Sequence, residues 1–165
     1  MSKETMTRNE VINFHRGLIG VASLKGAKFA YAVIKNKKAC EKEIEIINEI
    51  AKQSEEFIAF ERTRIELCKK HCSKNDLGEP KMIHIQGQLS KFEGLDDNEN
   101  FVKEFKALQK ENKKVIEERE KQQIDQVLFL KETTELEVHK MSITEIPEEI
   151  TTAQLESIFP MIITD

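Results

Sequence analysis

Residues 30–72 decide the fold, and they read AYAVIKNKKACEKEIEIINEIAKQSEEFIAFERTRIELCKKHC. Along this stretch, mostly apolar or small side chains recur in a strict alternation of three and four residues. That spacing places them on one seam of an α-helix. No Gly or Pro interrupts the stretch. We therefore expect a helix from about Ala27 to Ser73, about 70 Å long at 1.5 Å per residue. The sequence allows a kink near Gln53 and Ser54.

Three polar side chains, Lys37, Ser54 and Glu61, interrupt this seam. Polar residues at such positions in paired helices fix the register and the oligomeric state. We therefore expect the seam to extend into a coiled-coil contact between copies of the chain, which makes a homo-oligomer one predicted arrangement.

A second long helix is predicted after the acidic start Asp96–Glu99, whose side chains suit an N-cap and a first turn. Its stripe again alternates by three and four residues, through Phe101, Phe105, Leu108, Asn112, Val115, Arg119 and Gln122. We expect this helix to run to about Leu130. Because a turn and a short strand separate the two helices, they should form a long antiparallel hairpin in which each buries its seam against the other.

Short elements flank the expected hairpin. Thr7 and Glu10 have the spacing of a capping box, as do Thr151 and Gln154, so a short helix is predicted near each terminus. Extended segments are predicted at two places, Met82–Gln86 and Glu135–His139, where apolar and polar side chains alternate. These two segments could pair as a small two-stranded β element.

The predicted fold class is therefore mainly α, of the α+β type. It consists of a long antiparallel helical hairpin, a short N-terminal helix, a small two-stranded β element and a short C-terminal helix. No linker or internal repeat divides the sequence, so we expect a single domain over residues 1–165.

Composition excludes several classes of protein. Charged residues make up 34% of the chain, aromatic residues only 6%, and the net charge is −4. Mild acidity argues against broad nucleic-acid binding, which needs a strongly basic face. No apolar run approaches the ~20 residues that span a bilayer, so no membrane partner is expected. The N-terminus lacks a secretory pattern and the 3 cysteines are an odd number, which predicts a cytoplasmic location.

Cys68, His71 and Cys72 suggest either a metal site or a thiol site. A structural zinc ion is usually bound by four ligands. Only these three candidate ligands cluster here, and the sequence has no second cysteine pair, so no metal is expected. The cysteines also lie on the apolar seam, where cysteine acts as a small hydrophobic side chain. The neighbouring cations would favour a reactive thiol by lowering its pKa, and this interpretation stays open.

No catalytic residues and no cofactor are predicted. The glycines from Gly17 to Gly26 match neither the P-loop nor the dinucleotide fingerprint, and close packing or a bend explains them better. The other histidines are scattered and no nucleophile pairs with them in sequence. We therefore expect a protein that is not an enzyme.

The most basic stretch offers the one candidate binding site. It combines an aromatic side chain with a group of cations, namely Lys25, Lys28, Tyr31, Lys35 and Lys38. Such a face could contact an acidic protein, a nucleotide or another small anion. An ordinary solvated helix face is the competing interpretation.

The order of several segments resembles that of small uncharacterised proteins encoded by tailed phages and prophages. The segments that carry the resemblance cover most of the chain, and they are Leu24–Asn36, Arg64–His71, Asn75–Pro80, the Phe- and Leu-spaced second helix, Leu136–Val138 and Ile146–Thr151. The resemblance implies a virion accessory or assembly factor, or an inhibitor of host defence. It would place the protein in the host cytoplasm or in the virion.

Together these observations predict a non-enzymatic interaction protein that acts on a protein partner through its helical hairpin. The alternative is a protein that binds or sequesters a small molecule or nucleotide on the basic face between Lys25 and Lys38.

Overall fold

The computed structural model describes residues 2–84 and 90–163, and they are mainly helical. Strands and helices follow one another along the chain in the order β1 Ser2–Thr7, α1 Arg8–Gly20, α2 Ala27–Ala51, α3 Glu55–His71, β2 Met82–Ile83, β3 Lys91–Phe92, α4 Glu99–Glu111, α5 Lys113–Lys131, β4 Thr133–Val138 and α6 Thr152–Ser157. Two 3₁₀ turns, Ile143–Glu145 and Phe159–Met161, flank α6. The predicted α+β class is confirmed.

The chain divides into two compact units. The first unit consists of residues 1–52 and 123–165, and the second of residues 53–122. Helix α5 therefore contributes its first ten residues to the second unit and the remainder to the first. We predicted a single domain over residues 1–165, and this stays a prediction.

The first unit holds the main apolar core. Side chains from α1, α2, β4 and the C-terminal segment meet there, and the largest fully buried ones are Phe14, Phe29, Leu18, Ile158 and Met161. Helix α1 packs on α2, and β4 lies against α2 as well. Burial of apolar surface of this kind is the dominant favourable term in folding.

Both predicted capping boxes are confirmed. At the start of α1, the Glu10 backbone N–H donates to Thr7 Oγ1 over 3.2 Å, and Glu10 Oε2 accepts from the Thr7 backbone N–H over 2.6 Å. Thr151 and Gln154 make the same reciprocal pair at the start of α6. These bonds satisfy backbone donors that the first turn of a helix leaves without partners.

The prediction of one continuous helix from Ala27 to Ser73 is wrong, because the chain is extended at Lys52 and Ser54. The break falls where the sequence allowed a kink. Ser54 caps the new helix, since its Oγ accepts from the Phe57 backbone N–H over 3.1 Å. Two glutamates in the first turn of α3 add favourable charge at the positive end of its dipole.

Within α3, the predicted seam is only partly buried. Its member Cys68 is buried, as is Phe60 beside the seam, whereas its members Ile58 and Ile65 are exposed. Helix α3 packs on α4, so its buried face is set by that contact rather than by the seam spacing alone. Continuous spacing in the sequence therefore does not mean one continuous buried face.

The expected hairpin is present only loosely. Within the second unit α3 packs on α4, but within the first unit α2 packs on α1 and β4. The second long helix is also interrupted, because Asn112 ends α4 and its Nδ2 donates to the Leu108 carbonyl over 2.9 Å. Its predicted N-cap is confirmed at Asn98, whose Oδ1 accepts from the Phe101 backbone N–H over 3.0 Å.

The predicted pairing of the two extended segments is wrong. Strand β4 pairs antiparallel with β1, in a register that places Met6 opposite Thr134. Met6 is the buried side chain of β1, beside the buried Leu136 and Val138 of β4. The other side chains of β1 are polar, including Ser2 and Glu4 on the same side as Met6, so the sequence shows no apolar alternation that would predict this strand.

The other predicted strand lies in a separate two-stranded element, where Met82–Ile83 pairs with Lys91–Phe92. The last two residues of that predicted strand, Ile85 and Gln86, lie outside the described residues. None of the helices in residues 2–84 and 90–163 is long and apolar enough to cross a lipid bilayer.

Candidate functional site

Five exposed side chains form the strongest candidate site, on one face of α2. They follow one another at spacings of three and four residues, and we call them the lysine face: Lys28, Tyr31, Lys35, Lys38 and Lys42. This spacing puts the side chains on neighbouring turns of the same helical surface. Aliphatic and cysteine side chains on the opposite side of α2 are buried in the core, which fixes the direction of the face.

Tyr31 is the aromatic centre of the lysine face and is 54% exposed. Its ring makes an edge-to-face contact with His139, with 5.5 Å between the ring centroids and 84° between the planes. The Lys35 Nζ lies 5.6 Å from the centroid of the Tyr31 ring, within the range of a cation–π interaction. An exposed aromatic ring is thus held by two neighbours while one side stays open.

One lysine of the face already has an acidic partner. Lys28 Nζ donates to Glu145 Oε1 over 2.8 Å. This hydrogen bond, and the opposite charge behind it, raise the pKa of Lys28 above its ordinary value. The pKa of Glu145 is lowered, first by the bond from Lys28 and then by the bond from the Ser142 backbone N–H. Glu145 shows that a carboxylate fits at this end of the face.

A buried amide anchors the segment that supplies His139. Asn36 is fully buried on α2, and its Nδ2 donates to the His139 carbonyl over 3.0 Å. The His139 backbone N–H in turn donates to Asn36 Oδ1 over 2.7 Å. Both polar ends of the side chain are therefore satisfied, as a buried amide requires. The anchor positions His139 beside Tyr31.

The structure brings most of the predicted site together and leaves one residue apart. Lys28, Tyr31, Lys35 and Lys38 share the face, whereas Lys25 precedes the helix and is exposed before the bend at Gly26. Lys35, Lys38 and Lys42 make no ion pair with any part of the chain that the structure describes.

Sequence reasoning missed three residues of this neighbourhood. Lys42 continues the three–four spacing of the lysines, so that pattern could have found it. His139 and Glu145 are more than one hundred positions away from their partners on α2. Nothing local in the sequence reports contacts of that range.

A small pocket on another side of α2 does not extend the site. Its volume is about 90 Å³, and apolar residues such as Val21, Phe29 and Ile34 line it together with Lys37. Pockets that enclose a small-molecule ligand usually measure about 300–1,000 Å³. None of the five lysine-face residues lines this pocket, so the lysine face and the pocket are separate surfaces of α2.

The cysteine cluster does not support a reactive thiol. Cys68 is 4% exposed, and burial raises its pKa, in contrast to the lowering expected from the nearby cations. Cys72 is buried too. Among the residues that the structure describes, no group of three or more His, Cys, Asp or Glu side chains is close enough to hold a metal ion.

Close packing explains the first of the glycines near the N-terminus. A Cβ atom at Gly17 would lie 2.5 Å from the Ser157 carbonyl oxygen, so α1 can approach α6 only without a side chain at this position. Gly26 has a φ of 129° and marks the bend before α2. These two observations confirm the interpretation of packing and a bend.

Comparison with known proteins adds no family to this description. No protein-family model, no curated protein and no solved structure matches the chain.

Proposed function

We propose that the protein is a non-enzymatic interaction protein and that its lysine face binds an acidic segment of a protein partner. One observation carries the proposal: four exposed lysines surround a half-exposed tyrosine on one helical face, and only Lys28 is neutralised by a carboxylate of the described chain. Uncompensated charge of one sign on a surface favours a partner of the opposite sign.

The chemistry of the face fits a protein segment. Exposed lysines provide long-range attraction but little affinity each, because water and salt screen them. An exposed tyrosine supplies the contact area and the hydrogen-bonding group that are enriched at interfaces. A helical surface of this kind suits an acidic helix or strand that lies along α2.

Fluorescence anisotropy with a labelled peptide rich in Glu and Ala would test the proposal. The probe should bind the full chain, and the affinity should fall with rising salt. Replacing both Lys35→Glu and Lys38→Glu should weaken binding about tenfold or more, because two attractions become repulsions.

The double variant Lys103→Glu with Lys106→Glu is a matched control. These lysines are also exposed and three residues apart, but they lie on α4. This control should keep the affinity of the wild type. Equal losses in both double variants, or no binding by the wild type, would contradict the proposal.

The second candidate function is the binding of a small anion or nucleotide. The stacking surface of Tyr31 beside the Lys35 ammonium group favours it. Calorimetry with a panel of cyclic nucleotides separates the two candidates. Heat of binding that disappears in Tyr31→Ala, with no binding of the acidic peptide, would replace the first proposal by this one.

We further propose a phage or prophage setting, with the protein acting as a virion factor or as an inhibitor of host defence in the host cytoplasm. The resemblance in the order of segments is the support for this setting. The gene should lie beside phage genes, and a neighbourhood without any phage gene would count against it.

A further inference from the structure

Helix α3 exposes two isoleucines of the predicted seam. Ile58 is 44% and Ile65 is 37% exposed, although the three–four spacing had placed both in a buried seam. They line a shallow groove along α3, about 360 Å³ in volume, together with charged side chains that include Arg62, Glu66 and Lys69. We call these five residues the α3 stripe.

The charges of the α3 stripe have no ion-pair partner in the described part of the chain. Glu61 and Arg64, by contrast, pair with each other on the flank of the stripe, where Arg64 Nε and Glu61 Oε1 are 2.8 Å apart. Arg62 and Glu66 are one turn apart, so each is displaced from the other along the helix axis by about 6 Å. Charge of both signs is thus available on a face that also exposes apolar surface.

The charges of the whole helix are also separated by sign. Glu55 and Glu56 lie in the first turn of α3, and Lys69, Lys70 and His71 lie in the last turn. Lys70 and His71 already contact Glu104 of α4, with Lys70 Nζ 2.8 Å from Glu104 Oε2, so Lys69 is the cation of this turn without an ion pair in the described residues. Two such helices side by side in opposite directions bring the glutamates of one copy towards Lys69 of the other. Their dipoles then oppose each other favourably as well.

A two-fold axis at the level of Arg64 makes the stripe complementary to itself. With a rise of 1.5 Å per residue, Arg62 of one copy then lies level with Glu66 of the other, and the symmetry repeats this pair. The two Ile65 residues are then offset by only about 3 Å along the helix axis, so their side chains can meet across the interface. Ile58 likewise meets the aliphatic stem of Lys69 of the other copy.

We infer that the protein forms a homodimer in which the α3 stripes of two copies pack antiparallel. The contact involves a single helix of each copy, so we expect weak dimerisation that sedimentation detects at high protein concentration. This inference uses residues of the second unit alone and does not depend on the lysine face.

Sedimentation equilibrium over a range of concentrations tests the inference. The wild type should dimerise, whereas Arg62→Glu and Glu66→Arg should each raise the dissociation constant about tenfold, because both interchain pairs become like-charged. Lys106→Glu, an exposed change of equal charge on α4, should leave dimerisation unchanged.

An equimolar mixture of the two single variants provides the decisive control. In a mixed dimer, one copy carries a carboxylate at both positions and the other copy carries a guanidinium group at both, so both interchain pairs are attractive again. The mixture should therefore dimerise as the wild type does. A wild type that stays monomeric at several hundred micromolar, or single variants that dimerise normally, or a mixture that stays monomeric, would overturn the inference.

Discussion

At the residue scale, Asn36 joins α2 to the segment after β4. The substitution Asn36→Leu keeps the side-chain volume approximately the same. It leaves the His139 backbone N–H and carbonyl without their hydrogen-bond partners. We expect a loss of about 2 kcal/mol in the free energy of unfolding. Urea denaturation measures it, with Asn48→Leu at an exposed position of α2 as the control. Equal stability of the two variants would contradict the role of Asn36.

Gly17 and Gly20 lie on the same helix α1, but replacing each by Ala should change the free energy of unfolding in opposite directions. In Gly17→Ala, the new methyl group would meet the Ser157 backbone, so α6 must move and we expect a loss of about 1–3 kcal/mol. In Gly20→Ala nothing lies within 4 Å of the new atom, and the better helix former should stabilise by up to about 1 kcal/mol. Thermal unfolding of both variants checks the opposite signs, and a stabilising Gly17→Ala would refute the close approach.

Residue-level signals predicted part of the candidate site. The lysine spacing identified Lys28, Lys35 and Lys38 together with Tyr31, because helical periodicity relates residues on neighbouring turns. The contacts of Tyr31 with His139 and of Lys28 with Glu145 depend on the tertiary fold. No periodicity connects residues that far apart, so the sequence could not supply them.

At the element scale, Ser54 defines where α3 begins. Ser54→Ala removes the hydroxyl that caps the Phe57 backbone N–H, and we expect a loss of about 1 kcal/mol in the free energy of unfolding. Thr63→Ala, an exposed change in the middle of α3, should be neutral or slightly stabilising because Ala is the better helix former. Chemical denaturation compares them, and a harmless Ser54→Ala would show that the cap does not define the start of α3.

The start of α3 at Ser54 illustrates why the existence of the helices was easier to predict than their boundaries. Apolar periodicity indicates that a helix forms, and it did so for α1, α2, α3 and α4. Periodicity does not indicate a short extended break, since the spacing continues through Ser54 without interruption. Strand β1 was missed for a related reason, because Met6 is its single buried side chain and one apolar residue makes no pattern.

At the scale of the whole molecule, the prediction of a single domain means that residues 1–165 should unfold in one cooperative transition. Tyr31 is the one tyrosine of the chain, and the chain has no Trp, so tyrosine fluorescence reports on the first unit alone. Far-UV circular dichroism reports on the helices of both units. A single domain requires coincident urea transitions by the two probes. Separate midpoints would show that the units unfold independently.

The lysine face is the surface through which we expect the whole molecule to bind its partner. The most direct test is an NMR titration of the isotope-labelled full chain with the Glu- and Ala-rich peptide. We expect backbone shifts to change mainly at residues 28–42 and 139–145, and we expect these changes to be lost in the double variant Lys35→Glu with Lys38→Glu. Shift changes concentrated at residues 53–84 and 90–122, or no changes at all, would contradict it.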